Sequence, residues 1–152
     1  MFSSTRLNAS FAVAIAFSAV AVTCASSGCS KSAEKEVLTA ENSNLKPLSI
    51  LYGQFQTTNQ NRAPANEAEF KKFLSTTGQS LLKQFGTDPE KVFISDRDGQ
   101  PYVVFYGKQV PASGVIAYES EGVGGGRIVA YPFGSVGLVD ESRFHQLVPG
   151  AG

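Results

Sequence analysis

Few side chains in this sequence are of the types and spacings that catalysis requires. His145 is the only histidine, which excludes a metal site built from several histidines and makes any Ser-His-Asp arrangement depend on this residue. It falls in a predicted C-terminal helix, and the chain contains no Gly-x-Ser-x-Gly nucleophile motif. We therefore predict that His145 is a surface residue, that the chain has no catalytic residues, and that the protein is not an enzyme.

Two short segments have compositions that occur in phosphate-binding and calcium-binding loops. Residues 122–126 are glycine-rich, but they lack the Gly-Lys-Ser/Thr ending of a phosphate-binding loop and lie between two predicted strands. Residues 96–99 begin as a calcium loop begins, but no glutamate stands at the twelfth position. We predict a hairpin loop for the first segment, a hydrogen-bonded turn for the second, and neither a metal nor a cofactor.

Carboxylates offer the main alternative to a non-catalytic protein. Four of them could face one another at one edge of the predicted sheet: Glu119, Glu121, Asp140 and Glu141. Such a group would suit an exported hydrolase or a binder of a small ligand. The spacing, however, does not distinguish a general acid from a general base.

The charge balance excludes a broad electrostatic binding surface. Arg6 is the only one of 13 basic side chains that precedes residue 29, and all 13 acidic side chains follow that position. The chain from residue 29 onward therefore carries one net negative charge. This balance predicts no nucleic-acid partner and no electrostatic attraction to an anionic membrane.

The N-terminus has the composition of an export signal. No charged residue lies between Arg6 and Lys31, and residues 11–22 are almost wholly apolar. A short positive segment, an apolar segment of about 7–15 residues and then small residues are typical of a secretory signal. The apolar segment is shorter than the roughly 20 residues of a membrane-spanning helix, although a retained signal anchor stays open.

The signal ends at a cysteine that small residues precede. The sequence Ser26-Ser27-Gly28-Cys29 resembles the lipobox of bacterial lipoproteins, with Gly28 directly before the cysteine and Ser26 where the family usually has leucine. The resemblance implies cleavage before Cys29, diacylglycerol on its thiol and acylation of the new amine. Ser30, in place of aspartate, implies sorting to the outer membrane. Ordinary signal-peptidase cleavage a few residues earlier would instead leave Cys29 as a free thiol.

We predict three segments along the chain. Residues 1–28 are a lipoprotein signal peptide, residues 29–44 a polar tether and residues 45–152 a single domain. The chain after residue 28 has 124 of the 152 residues, which is enough for one domain with a hydrophobic core. Cys29 is its only cysteine, which excludes a disulfide and a cysteine-based zinc site within it.

Apolar spacing predicts helices at the start of the domain. The first covers residues 45–60, and its apolar face consists of Leu48, Leu51, Tyr52 and Phe55. In the second helix, Asn66 and Glu69 have the spacing of a capping box, and Gly78 is expected to end it. Residues 80–85 are predicted to add one more turn.

From residue 92 onward the apolar period changes to two, which is typical of β-strands. The predicted strands comprise residues 92–94, 102–106, 115–119, 127–131 and 136–139. Asp140 is expected to cap a last helix over residues 141–147. The fold class is therefore α+β, with N-terminal helices packed on one face of a four- to five-stranded antiparallel meander, followed by a short C-terminal helix.

The last third of the chain contains residues 126–131 and 134–139, and the Asp-Gly-Gln-Pro-Tyr segment at 98–102 precedes it. These segments resemble bacterial pseudopilin-like domains of type II secretion. The prepilin signature is missing, so pilus assembly is not implied. A pseudopilin would also need one helix that continues from the apolar segment through Phe55, and Pro47 argues against that continuity.

Together these patterns predict a non-enzymatic, lipid-anchored protein of the bacterial cell envelope. Its small α+β domain is expected to bind another envelope protein. The alternatives are an exported hydrolase or small-ligand binder that uses carboxylates near residues 119–122 and 140–141, or a pseudopilin-like secretion component.

Overall fold

The computed structural model describes residues 39–151, and these residues form the predicted α+β fold. After a helical stretch at residues 39–41, four α-helices follow: α1 (Leu45–Thr58), α2 (Glu67–Ser75), α3 (Gln79–Gln84) and α4 (Glu141–Leu147). Four strands form one sheet: β1 (Tyr102–Val104), β2 (Ala117–Glu119), β3 (Gly126–Ala130) and β4 (Val136–Asp140). The strands are antiparallel and adjacent in chain order, so the predicted meander is confirmed.

Helix α1 lies at the centre of the core, as its apolar spacing predicts. The side chains that the sequence places on its apolar face are all buried: Leu48, Leu51, Tyr52 and Phe55. Pro47 lies in the first turn, where its missing N–H costs no helical hydrogen bond. The Tyr52 hydroxyl donates to the Phe105 carbonyl oxygen at 2.9 Å and so links the helix to the chain after β1.

The folded domain begins before the predicted boundary at Leu45. Ala40 and Ser43 are buried, and the Ser43 hydroxyl donates to the Ala40 carbonyl oxygen at 2.7 Å. The Asn44 side chain donates to the Ile94 carbonyl oxygen at 3.2 Å. Residues 39–44, which the sequence assigned to the tether, therefore belong to the domain. Their composition is polar, but the small side chain of Ala40 packs in the apolar core.

An aromatic cluster joins the N-terminal helices. Phe70 of α2 contacts Tyr52 of α1 edge to face, with ring centroids 5.4 Å apart. It also meets Phe93 at 6.0 Å in a perpendicular arrangement. Phe55 and Phe73 complete the cluster with a centroid distance of 5.4 Å. Edge-to-face pairs of this kind add to the hydrophobic gain of burial, and they hold α2 against α1.

The predicted capping residues of α2 are confirmed, with one difference. The Asn66 side chain accepts a hydrogen bond from the Glu69 N–H at 2.9 Å. The Glu69 carboxylate reaches one residue further back than expected and accepts from the Ala65 N–H at 2.6 Å. It also pairs with both terminal nitrogens of Arg62, at 2.6 and 3.0 Å. Glu69 therefore holds the loop before α2 as well as the first turn.

Glu69→Gln removes the charge that binds Arg62 and the Ala65 N–H, and it is expected to lower the free energy of unfolding at neutral pH. The loss is only about 1 kcal/mol, because the Glu69 side chain is 34% exposed and solvent screens the ion pair. The hydrogen bonds from Arg62 lower the pKa of Glu69 from 4.5 to about 2. The stability that Glu69 contributes is therefore present above pH 4.5 and lost as the pH falls towards 2.

Urea unfolding at a series of pH values measures this effect. The difference between the wild type and Glu69→Gln should shrink below pH 4.5. Glu67→Gln, two residues earlier in the same first turn and 59% exposed, serves as the control and should show a smaller difference. A difference for Glu69→Gln that stays constant down to pH 2 would contradict this assignment.

Helices cover both faces of the sheet, whereas the sequence predicted cover on one face. Helix α1 shares an apolar cluster with Ile128 and Ala130 on one face. Helix α4 covers the other face, where Phe144 lies 4.9 Å from Tyr118 between ring centroids. Strand residues alternate between faces, and β2 and β3 carry apolar side chains at both sets of positions, so each face needs a partner.

The predicted strand at residues 92–94 is wrong. Lys91–Phe93 forms a 3₁₀ turn, and only Ile94 makes an isolated bridge, to Pro101. The reason is local, because the Asp88 carboxylate accepts from the N–H groups of Glu90 and Lys91 at 3.0 and 2.8 Å. This cap starts a helical turn and overrides the apolar pattern.

Two of the predicted strands are shorter in the structure, whereas the predicted turn at Asp98-Gly99 is present. β1 and β2 are each three residues long, shorter than the predicted five. Gly99 has φ +73°, in the turn that the Asp98-Gly99 pair predicts. Gly78 does not end α2 directly, because α2 ends at Ser75 and Gly78 precedes α3.

Within residues 39–151, no helix combines the length and apolar composition of a membrane span.

Candidate functional site

Glu119 is the most deeply buried of the four candidate carboxylates, with no exposed surface. One of its oxygens accepts from Arg97 Nη1 at 2.6 Å and from the Ile128 N–H at 2.8 Å. The other accepts from the Ser95 hydroxyl at 3.3 Å. Arg97 is itself largely buried, with a side chain 14% exposed. The pair therefore lies inside the fold, on the face of the sheet that α1 covers.

The surroundings of Glu119 affect its ionisation in opposite directions. Burial raises the pKa of Glu119, and the Ile128 N–H and the Arg97 guanidinium lower it to a smaller extent. A raised carboxyl pKa is the direction expected of a general acid. However, all the nearby groups hold the fold together: they tie the loop at residues 95–97 to the end of β2 and the middle of β3.

Arg127 makes a second ion pair on the opposite face. Its Nε donates to the Glu141 carboxylate at 2.8 Å, and its guanidinium lies over the Phe144 ring at 4.6 Å. Its Nη1 donates to the carbonyl oxygens of Glu119 and Ser120. Arg127 thus connects β2 and β3 to the first turn of α4.

These two networks end the pairing between β2 and β3. The register runs through Ala117↔Ala130 and Tyr118↔Val129 and then stops. At the next position the Glu119 carboxylate accepts from the Ile128 N–H, and Arg127 donates to the Glu119 carbonyl oxygen. Side chains of opposite charge therefore satisfy the backbone groups that a longer ladder would pair.

The other two candidate carboxylates have separate positions. Asp140 caps α4, since its side chain accepts from the Arg143 N–H at 2.7 Å. Glu121 is exposed at the start of the loop between β2 and β3. Three of the four carboxylates are thus engaged in hydrogen bonds that hold the fold, and Glu119 and Glu141 bind different arginines on opposite faces. The structure does not bring them together as the alternative requires.

The remaining candidates lie on the surface or in turns: the histidine, the glycine-rich segment and the segment at residues 96–99. His145 is exposed on α4, with its ring 5.6 Å from Phe144. Gly122, Gly124 and Gly125 have positive φ in the loop between β2 and β3, which the sequence predicted as a hairpin loop. In residues 96–99, the Asp98 side chain accepts from the Gln100 N–H at 2.9 Å, as a turn requires.

Among residues 39–151, no group of three or more histidine, cysteine, aspartate and glutamate side chains is placed to hold a metal ion. Cys29, the predicted lipidation site, lies outside the described residues. The predicted signal peptide and most of the predicted tether lie outside them as well.

The exposed surface carries two features that the sequence pattern does not predict, since that pattern favours a core position for Phe133 as for most of the aromatic residues. Phe133 is 67% exposed and has φ +67°, a conformation that costs energy for a bulky residue. It lies in the turn that precedes β4, and β4 forms one edge of the sheet. A groove of about 530 Å³ between α1, α2 and α3 has a mixed lining of polar and apolar residues that includes Gln54, Phe73 and Ser80.

No family model matches this chain, and comparisons with curated proteins and with solved structures find no significant similarity.

Proposed function

We propose that this protein is a non-enzymatic lipoprotein of the bacterial cell envelope, which is anchored by acyl chains on Cys29 and binds another protein through its small α+β domain. The observation that carries the proposal is the sequence around Cys29, where an uncharged apolar segment leads into small residues and a cysteine. Several acyl chains on one residue would give stable attachment to a membrane, where one chain gives only marginal binding. The serine after Cys29 favours the outer membrane.

The domain supports a binding role more than a catalytic one. The candidate carboxylates Glu119, Asp140 and Glu141 are all occupied by arginine or backbone partners. Phe133, by contrast, is held at the surface at a cost in backbone energy. Aromatic side chains, phenylalanine among them, are enriched at protein interfaces. We propose another envelope protein as the partner of the domain.

The start of the domain does not favour the pseudopilin alternative. Residues 42–44 are not helical, and α1 begins only at Leu45. A helix that continues from the apolar segment through Phe55 is therefore interrupted within the described residues.

Intact-mass analysis of the chain isolated from a bacterial membrane tests the anchor. We expect a mature N-terminus at Cys29 that carries the mass of diacylglycerol and a further acyl chain. Cys29→Ala should abolish both the added mass and membrane attachment. Cys24→Ala is the matched control, because it removes the other cysteine of the chain, and should retain both. A soluble species with an unmodified Cys29 thiol would overturn the proposal.

A photoreactive amino acid at position 133 tests the binding role in the membrane-attached chain. We expect a discrete crosslink to another envelope protein from this position. The same probe at position 145, which is exposed on α4, is the control and should give none. Equal crosslinking from both positions would contradict a specific partner at Phe133.

A further inference from the structure

The outer edge of β4 presents backbone groups that have no partner in the sheet. The Ile116 N–H donates to the Ala130 carbonyl oxygen at 2.8 Å, so the backbone groups of Ala130 face β2. Strand geometry alternates, and those of Val129 therefore face β4, where Gly137 is opposite. It follows that the N–H and C=O groups of Val136 and Leu138 point away from β3, towards the open edge.

This edge lacks the features that usually protect an edge strand. Asp140, the last residue of β4, is its one charged residue and caps α4; residues 136–139 contain no charged residue and no proline, and they pair with β3 without a bulge. None of the hydrogen bonds of the described residues involves the outward groups of Val136 and Leu138. An unprotected edge of this kind is a template for another strand.

We propose that a second copy of this chain pairs with β4, antiparallel and with the two-fold axis at Gly137. In this register, Val136 of each copy lies opposite Leu138 of the other. All four outward backbone groups of each strand then find partners, because the two residues exchange both of their hydrogen bonds. The two four-stranded sheets become one continuous sheet, and the contact is isologous.

The side chains favour this register. The cross-strand pairs on one face join Val136 to Leu138, and both are apolar. Gly137 meets Gly137 of the second copy at the axis, where opposite residues approach most closely. A side chain at position 137 has open space in the single chain, with no atom within 4 Å of a Cβ placed there. Asp140 lies opposite Gly134, so no like charges face each other across the axis.

The symmetry also suits two anchored chains. A two-fold axis between antiparallel edge strands is perpendicular to the sheet, so α1 of both copies lies on the same side. Ala40 packs in the α1 cluster, so both chains enter their domains on that side. Two Cys29 anchors could then enter one membrane. This last point rests on the proposed function, whereas the pairing itself does not.

Sedimentation velocity of the full-length protein, in detergent where it is acylated, tests the pairing. The wild type is expected to be a dimer. Gly137→Lys and Gly137→Glu each place like charges directly opposite at the axis, and each should raise the dissociation constant by about tenfold or more. An equimolar mixture of the two variants places lysine opposite glutamate and should restore dimers. Ala112→Lys, in the exposed loop between β1 and β2, adds the same charge elsewhere and is the control.

The outcomes separate the possibilities. A monomeric wild type overturns the proposal. A wild type whose β4 edge binds a different protein instead of a second copy overturns it as well. A dimer that persists in both charge variants assigns the contact to another surface and also overturns it. Circular dichroism confirms that the variants are folded, and restoration in the mixture shows this independently. The mass of the same samples reports acylation, so loss of the anchor and loss of pairing are read separately.

Discussion

Glu119→Ala is expected to destabilise the fold by about 3–5 kcal/mol, which is the largest effect that we predict. The substitution leaves the Arg97 guanidinium, 14% exposed, without its carboxylate. It also removes the acceptor of the Ile128 N–H, which is buried in the middle of β3. A buried charge and a buried N–H without partners each cost free energy, because neither regains its hydration in the folded state. Urea unfolding at neutral pH measures the difference.

Two controls identify the origin of this effect. Glu121→Ala removes an exposed carboxylate two residues away and should change stability by no more than about 0.5 kcal/mol. Combining Glu119→Ala with Arg97→Ala should cost less than the sum of the single variants, because the unpaired guanidinium is then absent. Additive losses would show that the two side chains do not act as a pair.

Gly53→Ala is expected to destabilise the fold by about 1–3 kcal/mol. Helix propensity alone predicts the opposite, a gain of about 1 kcal/mol for alanine within a helix. The tertiary contact decides the sign. A Cβ at position 53 would lie 2.5 Å from Cδ1 of Phe133 and 2.7 Å from its backbone nitrogen. The ring can move, but the backbone of the turn before β4 must shift as well.

Thermal and urea unfolding of Gly53→Ala test this prediction, with Gln54→Ala as the control. Gln54 is the next residue of α1 and is exposed, so its replacement should leave stability nearly unchanged or slightly higher. Adding Phe133→Gly to Gly53→Ala should recover only part of the loss, because it removes the ring and leaves the backbone nitrogen in place. A more stable Gly53→Ala protein would contradict the contact between α1 and this turn.

Local sequence determined the features that depend on neighbouring residues. The apolar spacing of α1, the Asn66 cap of α2 and the Asp140 cap of α4 all involve residues within one or two helical turns. The failure at residues 92–94 has the same local origin, because the Asp88 carboxylate that starts the 3₁₀ turn is visible in the sequence. An apolar triplet is compatible with either structure, and the preceding cap was the signal that decided it.

Pairs distant in the chain could not be predicted in this way. Arg97 and Glu119 are 22 residues apart, and Arg127 and Glu141 are 14 apart. Whether these charges meet depends on the register of the hairpins and on which face each side chain occupies. A shift of one residue would place Glu119 on the opposite face, away from Arg97. The sequence therefore identified the carboxylates and left their partners open.

Composition and short-range spacing were sufficient to predict the fold class and the residues at which the helices begin, because both depend on neighbours along the chain. The lipoprotein signal around Cys29 follows from the same kind of pattern and stays a prediction. Three features arise from packing alone: Glu119 is an internal ion-pair partner, a side chain at position 53 would crowd Phe133, and β4 has an open edge. The physical reason is that burial, close contact and edge position arise when distant segments pack together, and no local pattern encodes which segments those are.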